Sequence, residues 1–132
     1  MGEKLEGKAI LLVDDDAEIL SAMEVALAET GATIHTARDG SGAVQKIASA
    51  DPDLIVLDMM LPKRSGFLVL ENLQPRKQRG KRPFVIMITG NEGKRHEAYA
   101  RGLGVDDYLN KPFRMDRLLT SIETLLAAPK PS

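Results

Sequence analysis

The chain has 132 residues, of which 43% are hydrophobic and 28% are charged, a composition typical of one globular domain with a single core. Its 18 basic and 19 acidic residues give a formal net charge of -1, so no global positive field draws it to nucleic acid or to anionic membranes. It contains no cysteine, which excludes disulfides, thiolate catalysis and cysteine metal sites. The polar N-terminus lacks the apolar core of a signal peptide and no apolar run is long enough to span a membrane, so we expect a cytoplasmic protein.

The first predicted strand covers residues 9–13, which form an uninterrupted apolar run. Three acids end it, Asp14, Asp15 and Asp16. From residue 17 the apolar side chains recur at helical spacing, with Asp16 as the expected N-cap and Gly31 as the C-cap. A strand followed by a helix makes a first βα unit.

The second and third strands are predicted at residues 32–36 and 53–58, with a helix between them that closes before Pro52. Four consecutive apolar residues precede Asp58, and the chain then leaves through Met59 and Met60 towards a proline. A continuous apolar run, rather than an alternating one, indicates a strand that is covered on both faces, as in parallel sheets. Asp58 is therefore expected at the C-terminal end of a central strand.

The remaining chain continues the alternation of helices and strands. A short helix is predicted at 66–73, a solvated basic loop at 76–82, a strand at 84–88, a polar helix at 91–102, a strand at 105–109 and an amphipathic helix at 113–126. Strict alternation predicts an α/β fold, a flavodoxin-like doubly wound (βα)5 sandwich whose five-stranded parallel sheet has the order 2-1-3-4-5. We expect residues 1–7 to be an N-terminal extension, 8–127 the domain and 128–132 a tail.

Polar residues follow the C-terminal ends of four strands: Asp14, Asp15, Asp58, Thr89 and Lys111. The predicted strand order brings the three acids together at one edge of the sheet. At about 4 Å and an effective dielectric constant of about 20, each contact between like charges costs on the order of 4 kcal/mol. The cluster therefore needs a cation or raised pKa values, and its all-oxygen donor set suits Mg²⁺.

A carboxylate beside Mg²⁺ is also a candidate nucleophile towards phosphorus, and Asp58 is the best placed. Thr89 could donate a hydrogen bond to an incoming phosphoryl group, and the Lys111 ammonium could neutralise its oxygens. Taken singly, each residue has an ordinary interpretation as a turn, a helix cap or a surface charge. The joint spacing of the residues favours the chemical interpretation.

Four motifs carry a family resemblance: Leu11-Leu-Val-Asp14-Asp15-Asp16, Asp53-Leu-Ile-Val-Leu-Asp58-Met-Met-Leu-Pro62 with Gly66, Ile88-Thr89-Gly90, and Asp106-Asp-Tyr108-Leu-Asn-Lys111-Pro112-Phe113. Together they resemble the receiver domain of two-component response regulators, the CheY-like family. The resemblance covers residues 8–126.

The resemblance implies that Asp58 is the phosphoacceptor, charged by the phosphohistidine of a histidine kinase or of a phosphotransfer protein. It implies that Asp14, Asp15 and Asp58 bind Mg²⁺ together with the backbone carbonyl of Met60. Lys111 resembles the lysine that contacts the phosphoryl group. The family is one of signalling domains, which assist only their own phosphorylation and dephosphorylation, rather than of enzymes.

Thr89 and Tyr108 resemble the family's switch pair, in which the hydroxyl moves towards the phosphoryl group and the aromatic ring turns inward. The resemblance further implies a cis bond between Lys111 and Pro112. A downstream protein target is expected to bind the surface of the fourth helix, fifth strand and fifth helix, without direct contact to nucleic acid or membrane. Homodimerisation is left open. Because Met60 offers no polar side chain to orient a hydrolytic water, we expect slow to moderate autodephosphorylation.

Two alternatives remain at this stage. The first is a phosphatase that resembles the haloacid dehalogenases, with Asp14 as the nucleophile, although Ala17 and Glu18 do not match the usual continuation of that motif. The second is a pseudo-receiver, a binding module with the fold but without phosphorylation. The two histidines, His35 and His96, are predicted to lie at the surface and to take no part in a metal site.

Overall fold

The computed structural model of the protein describes residues 4–61, 65–73, 82–90 and 94–127, the side chains of 94–96 excepted. The strands are β1 (Ala9–Val13), β2 (Thr33–Ala37), β3 (Leu54–Asp58), β4 (Phe84–Thr89) and β5 (Asp107–Asn110). The helices are α1 (Ala17–Leu27), α2 (Gly40–Ala50), α3 (Gly66–Leu73), α4 (Lys94–Gly102) and α5 (Met115–Ala127), with a 3-10 turn at Ala28–Thr30. None of the helices in these ranges has the length and apolar character that a membrane crossing requires.

The five strands form one parallel sheet in the order β2-β1-β3-β4-β5, which confirms the predicted fold. All residues of β3 and β4 are buried, as expected for central strands that are covered on both faces. Alternate side chains of the sheet pack against α1 and α5 on one face and against α2, α3 and α4 on the other. The registers Val13 to Leu57 and Asp58 to Ile88 align the C-terminal ends of the central strands.

Several predicted boundaries were wrong by one or two residues. β2 begins at Thr33 instead of 32, β3 at Leu54 instead of 53, β5 at Asp107 instead of 105 and α5 at Met115 instead of 113. β2, β4, β5 and α5 each extend one residue beyond the predicted end. Val105 and Phe113 misled the prediction because both are apolar loop residues that pack on the core, Val105 fully buried and Phe113 partly buried. The basic residues 76–81 and the predicted helix start at 91 lie outside the described residues.

Carboxylates also organise the opposite, N-terminal edge of the sheet. One Asp53 oxygen accepts a hydrogen bond from the Ala9 backbone N–H at 2.8 Å, and the other accepts from Arg82 at 2.5 Å. Asp106 accepts from the Val85 backbone N–H at 2.8 Å. These acids satisfy strand donors that would otherwise lack a partner.

Asp107 joins β5 to α5. Its carboxylate accepts hydrogen bonds from the Ser121 hydroxyl at 2.5 Å, its neighbour's backbone N–H at 2.8 Å and Arg117 at 3.2 Å. Burial acts to raise the pKa of Asp107, but these hydrogen bonds outweigh burial and the pKa is lowered overall. The ionised carboxylate therefore stabilises the contact between the strand and the helix.

Leu5 belongs to the packed structure although it lies in the stretch predicted to precede the domain. Its side chain is 4% exposed and joins the core cluster between the sheet, α1 and α5. Its backbone N–H donates to the Thr30 carbonyl at 2.8 Å. Packing thus begins ahead of the boundary that we expect at residue 8.

Candidate functional site

Three carboxylates meet at the C-terminal edge of the sheet because β1 and β3 are neighbours there. One oxygen from each of Asp14, Asp15 and Asp58 lies within 4.8 Å of the others. Asp14 and Asp58 are 1% and 2% exposed, while Asp15 faces solvent. The structure thus brings together the three acids that the sequence analysis singled out, and two of them are removed from water.

The turn after β1 is fixed by its own acids. Asp16 accepts from the Glu18 backbone N–H at 2.9 Å and so caps α1, as predicted. The Asp16 N–H in turn donates to the Asp14 carboxylate at 2.9 Å. Arg38, in the turn after β2, donates to the Asp15 carbonyl at 3.2 Å. The acidic segment therefore has a defined backbone conformation.

Asp58 is held by the turn that follows β3. The Met60 N–H donates to one carboxylate oxygen at 3.0 Å, while the Met60 side chain is 65% exposed. Gly66 begins α3 directly against this turn, and its N–H donates to the Met59 carbonyl at 2.9 Å. A Cβ on Gly66 would lie 2.7 Å from the Met59 Cα and still closer to the Asp58 carbonyl oxygen. Only glycine fits this approach.

Lys111 bridges the two buried acids. Its Nζ lies 3.1 Å from an oxygen of Asp14 and 3.1 Å from an oxygen of Asp58. Its backbone N–H donates to the Thr89 carbonyl at 2.7 Å, and the bond to Pro112 is cis, as the family resemblance implies. Burial acts to lower the pKa of Lys111, but the hydrogen bonds and charges of Asp14 and Asp58 outweigh burial and raise it. The ammonium is therefore firmly protonated.

The pKa of the Asp58 carboxyl is raised above its usual value. Burial is the main cause and the charge of Asp14 adds to it, while the Met60 N–H and the Lys111 ammonium act in the opposite direction. The Lys111 ammonium lies between the two buried acids and offsets part of their repulsion, while the pKa of Asp58 stays raised.

Thr89 and Tyr108 lie on neighbouring strands at the same edge. Thr89 ends β4 and is fully buried, and the Tyr108 ring is 8% exposed and packs in the core between the sheet and α2, α3 and α4. Burial raises the pKa of Tyr108. The Thr89 hydroxyl acts against this rise, although the two hydroxyls do not reach the geometry of a regular hydrogen bond. Tyr108 is therefore largely buried next to Thr89.

The histidines stand apart from the site where the structure describes them. His35 pairs with Leu11 in the sheet and is partly buried rather than fully exposed, and it does not belong to the cluster of Asp14, Asp15 and Asp58. The side chain of His96 lies outside the described residues.

Sequence reasoning missed an apolar groove beside the site. The groove has a volume of about 440 Å³ and is lined by Ile19, Ala22, Lys111, Pro112, Phe113 and Met115. It lies between α1 and the segment after β5, with Lys111 connecting it to the acidic cluster. Ala22 is exposed on α1, and an alanine at such a position in the sequence does not by itself indicate a groove.

The response regulator receiver domain family matches residues 10–123 of the chain. The chain is 36% identical over 119 residues to the alkaline phosphatase synthesis transcriptional regulatory protein PhoP of Bacillus subtilis (strain 168), an alignment that covers 90% of this chain and 48% of PhoP. It is 34% identical over 122 residues to the response regulator MprA of Mycobacterium avium (strain 104), covering 92% and 52%. The chain thus spans about half the length of these curated relatives.

Solved structures of receiver domains also match this chain. The Francisella response regulator 1452 receiver domain matches with a TM-score of 0.82 and 28% identity, covering 91% of this chain and 97% of that one. A CheY-like response regulator receiver domain protein from Methanospirillum hungatei JF-1 matches with a TM-score of 0.79 and 30% identity, covering 90% and 93%.

Proposed function

The chain belongs to the response regulator receiver domain family of two-component systems, and from this premise we propose that it accepts a phosphoryl group on Asp58 with Mg²⁺ bound. The observation that supports the proposal is the close packing of three carboxylates and one ammonium group. Three carboxylates converge within 4.8 Å, and the Lys111 ammonium lies 3.1 Å from two of them. Nucleophile and counter-charge thus lie in one pocket.

The donor set of this pocket fits Mg²⁺, because its side-chain ligands are carboxylate oxygens. Asp14, Asp15 and Asp58 would hold the ion together with the Met60 carbonyl. When bound, Mg²⁺ supplies positive charge that neutralises phosphoryl oxygens during transfer. The Lys111 ammonium, which lies between Asp14 and Asp58, already supplies part of this positive charge.

In the proposed reaction an Asp58 oxygen attacks the phosphorus of a phosphohistidine. A P–O bond forms, the P–N bond breaks and the histidine nitrogen leaves with the electron pair, which yields an acyl phosphate. The Met60 N–H holds the other carboxylate oxygen and fixes the orientation of the group. The Lys111 ammonium remains beside the new charge and stabilises the phosphoryl oxygens.

The phosphoryl group adds up to about two negative charges and three acceptor oxygens at the sheet edge. We expect these oxygens to draw the Thr89 hydroxyl towards Asp58 and to favour the inward Tyr108 ring. The population of the α4-β5-α5 surface then shifts towards the conformation that binds a downstream protein. By this proposal the domain is a switch that controls a partner and has no substrate of its own beyond the phosphodonor.

The groove beside Lys111 is the proposed seat of the phosphodonor protein. A histidine kinase or phosphotransfer protein must place its phosphohistidine over Asp58, and the apolar groove lies next to that position. Ile19 and Ala22 on α1 and Phe113 and Met115 after β5 offer apolar contacts to a helical donor.

The proposal is tested by intact mass after incubation with acetyl phosphate and Mg²⁺. The expected result is one added phosphoryl group that requires Mg²⁺ and is absent from Asp58→Asn. Asp14→Asn is the informative companion because it keeps the size of the side chain but removes a proposed metal ligand. It should retain the acceptor and require more Mg²⁺ for the same labelling.

Two results would overturn the proposal. The absence of any adduct in the wild type would favour the pseudo-receiver. An adduct that persists in Asp58→Asn and disappears in Asp14→Asn would place the nucleophile at Asp14, as in the phosphatase alternative, which is not the family to which this chain belongs.

A further inference from the structure

Helix α4 has a small share in the core. Of its side chains in residues 97–102, Ala100 alone is buried, and Ala98, Tyr99 and Gly102 face solvent. Within residues 97–102, little apolar area therefore holds the helix to the sheet. Elements with few buried apolar contacts open locally at a low free energy, so the few remaining contacts have a large influence on where α4 lies.

Tyr99 makes two contacts across to α3. Its hydroxyl donates to the Glu71 carboxylate at 3.1 Å, and its ring meets the Phe67 ring edge-on, with centroids 5.1 Å apart and planes at 80°. The first contact is a hydrogen bond to a charged group and the second is a favoured aromatic geometry. Both side chains that Tyr99 contacts, Glu71 and Phe67, lie on α3.

Helix α3 is in turn fixed against the proposed phosphorylation site. Gly66, its first residue, packs on the Asp58 and Met59 backbone so tightly that a Cβ would not fit. Phe67 is the next residue along the chain. A continuous path of packed groups therefore runs from the Asp58 backbone through Gly66 and Phe67 to Tyr99 on α4, and it does not pass through Thr89 or Tyr108.

We propose that Tyr99 ties α4 to α3 and thereby sets how easily α4 leaves its docked position. This contact positions α4. It also gives Asp58 a second route, besides Thr89 and Tyr108, by which phosphorylation can affect the α4 surface. This second route rests on the proposed function, because it affects α4 only when Asp58 is phosphorylated. Because coupling must be tested at both ends, α4 is measured both before and after phosphorylation of Asp58.

The first measurement is amide hydrogen exchange of residues 97–103 in the unmodified protein. Tyr99→Phe removes only the hydroxyl, and Glu71→Ala removes the carboxylate that accepts its hydrogen bond. Each is expected to raise exchange in α4 by about three- to tenfold, the size expected for one charge-assisted hydrogen bond at an exposed position. The double variant should exceed neither single variant, because both remove the same bond.

Glu24→Ala is the matched control, since Glu24 is also an exposed glutamate within a helix and the change is chemically the same. It should leave exchange in α4 unchanged. If Tyr99→Phe and Glu71→Ala have no more effect on α4 than Glu24→Ala has, the tie does not exist. Additive effects of the two substitutions would equally overturn it, because they would then act on different contacts.

The second measurement repeats the exchange after phosphorylation by acetyl phosphate with Mg²⁺. The change in α4 exchange on phosphorylation should be smaller in Tyr99→Phe than in the wild type. An equal change would refute the second connection. A wild-type protein that takes up no phosphoryl group would contradict the proposed function instead, while the tie itself is decided by the first measurement.

Discussion

Gly66→Ala probes the tightest backbone approach in the site. The new Cβ would lie 2.7 Å from the Met59 Cα and closer still to the Asp58 carbonyl oxygen. Ordinary carbon contacts are about 3.5–4.0 Å, so the start of α3 must move by about 1 Å. Overpacking costs about 1–3 kcal/mol, and we expect the upper half of that range because backbone rather than a flexible side chain must move. Displacing α3 also disturbs the turn whose N–H orients Asp58.

Urea and thermal unfolding measure the effect on stability, and the rate of labelling by acetyl phosphate measures the effect on the site. The melting temperature should fall by about 8–12 °C for a loss of about 2–3 kcal/mol in a domain of this size. Gly102→Ala is the control, because a Cβ there meets nothing within 4 Å. It should be neutral or stabilising by up to about 1 kcal/mol. If Gly66→Ala were as stable as Gly102→Ala, the close approach of α3 would not constrain the site.

Three further predictions follow from contacts described above. Asp107→Asn should destabilise the protein by about 1–2 kcal/mol near neutral pH. Because the pKa of Asp107 is lowered in the fold, Asp107 stabilises the protein only while its carboxyl is ionised. In urea unfolding, the stability difference between the wild type and Asp107→Asn should therefore shrink as the pH falls through that pKa. A difference that does not change with pH would contradict this. Leu5→Ala should cost about 2–4 kcal/mol in thermal unfolding, whereas Val25→Ala at a 72% exposed position should change stability by less than about 0.5 kcal/mol. Ala22→Glu should slow phosphoryl transfer from a phosphohistidine protein by about tenfold or more while labelling by acetyl phosphate stays at the wild-type rate; equal slowing of both would show that the groove does not seat the donor.

The sheet was predictable because its strands are continuous apolar runs that end on polar residues. The runs before Asp14 and Asp58 fixed β1 and β3, and the strict alternation of strands and helices fixed a parallel order. Boundaries failed where an apolar residue packs on the core from a loop, as Val105 and Phe113 do. Hydrophobicity reports burial, and burial does not distinguish a strand from the loop that precedes it.

The meeting of the three acids at one sheet edge was predictable, but the geometry around them was not. Strand order alone placed Asp14 beside Asp58, whereas the position of the Lys111 ammonium midway between them depends on a turn that the sequence does not specify. The contact of Tyr99 with α3 is of the same kind. It joins helices separated along the chain by a strand, and periodicity within either helix carries no information about it.

The core cluster beneath α1 and α5 is closed at both ends of the chain by single leucines. Leu5 and Leu126 are each 4% exposed there, and Lys4 and Glu123 approach to 3.9 Å alongside them. The family match, residues 10–123, contains neither leucine. The packed core therefore extends beyond the shared family segment at both ends. Grafting only that segment onto another protein would leave an apolar hollow at each end of the cluster, so a transplanted unit should include both Leu5 and Leu126.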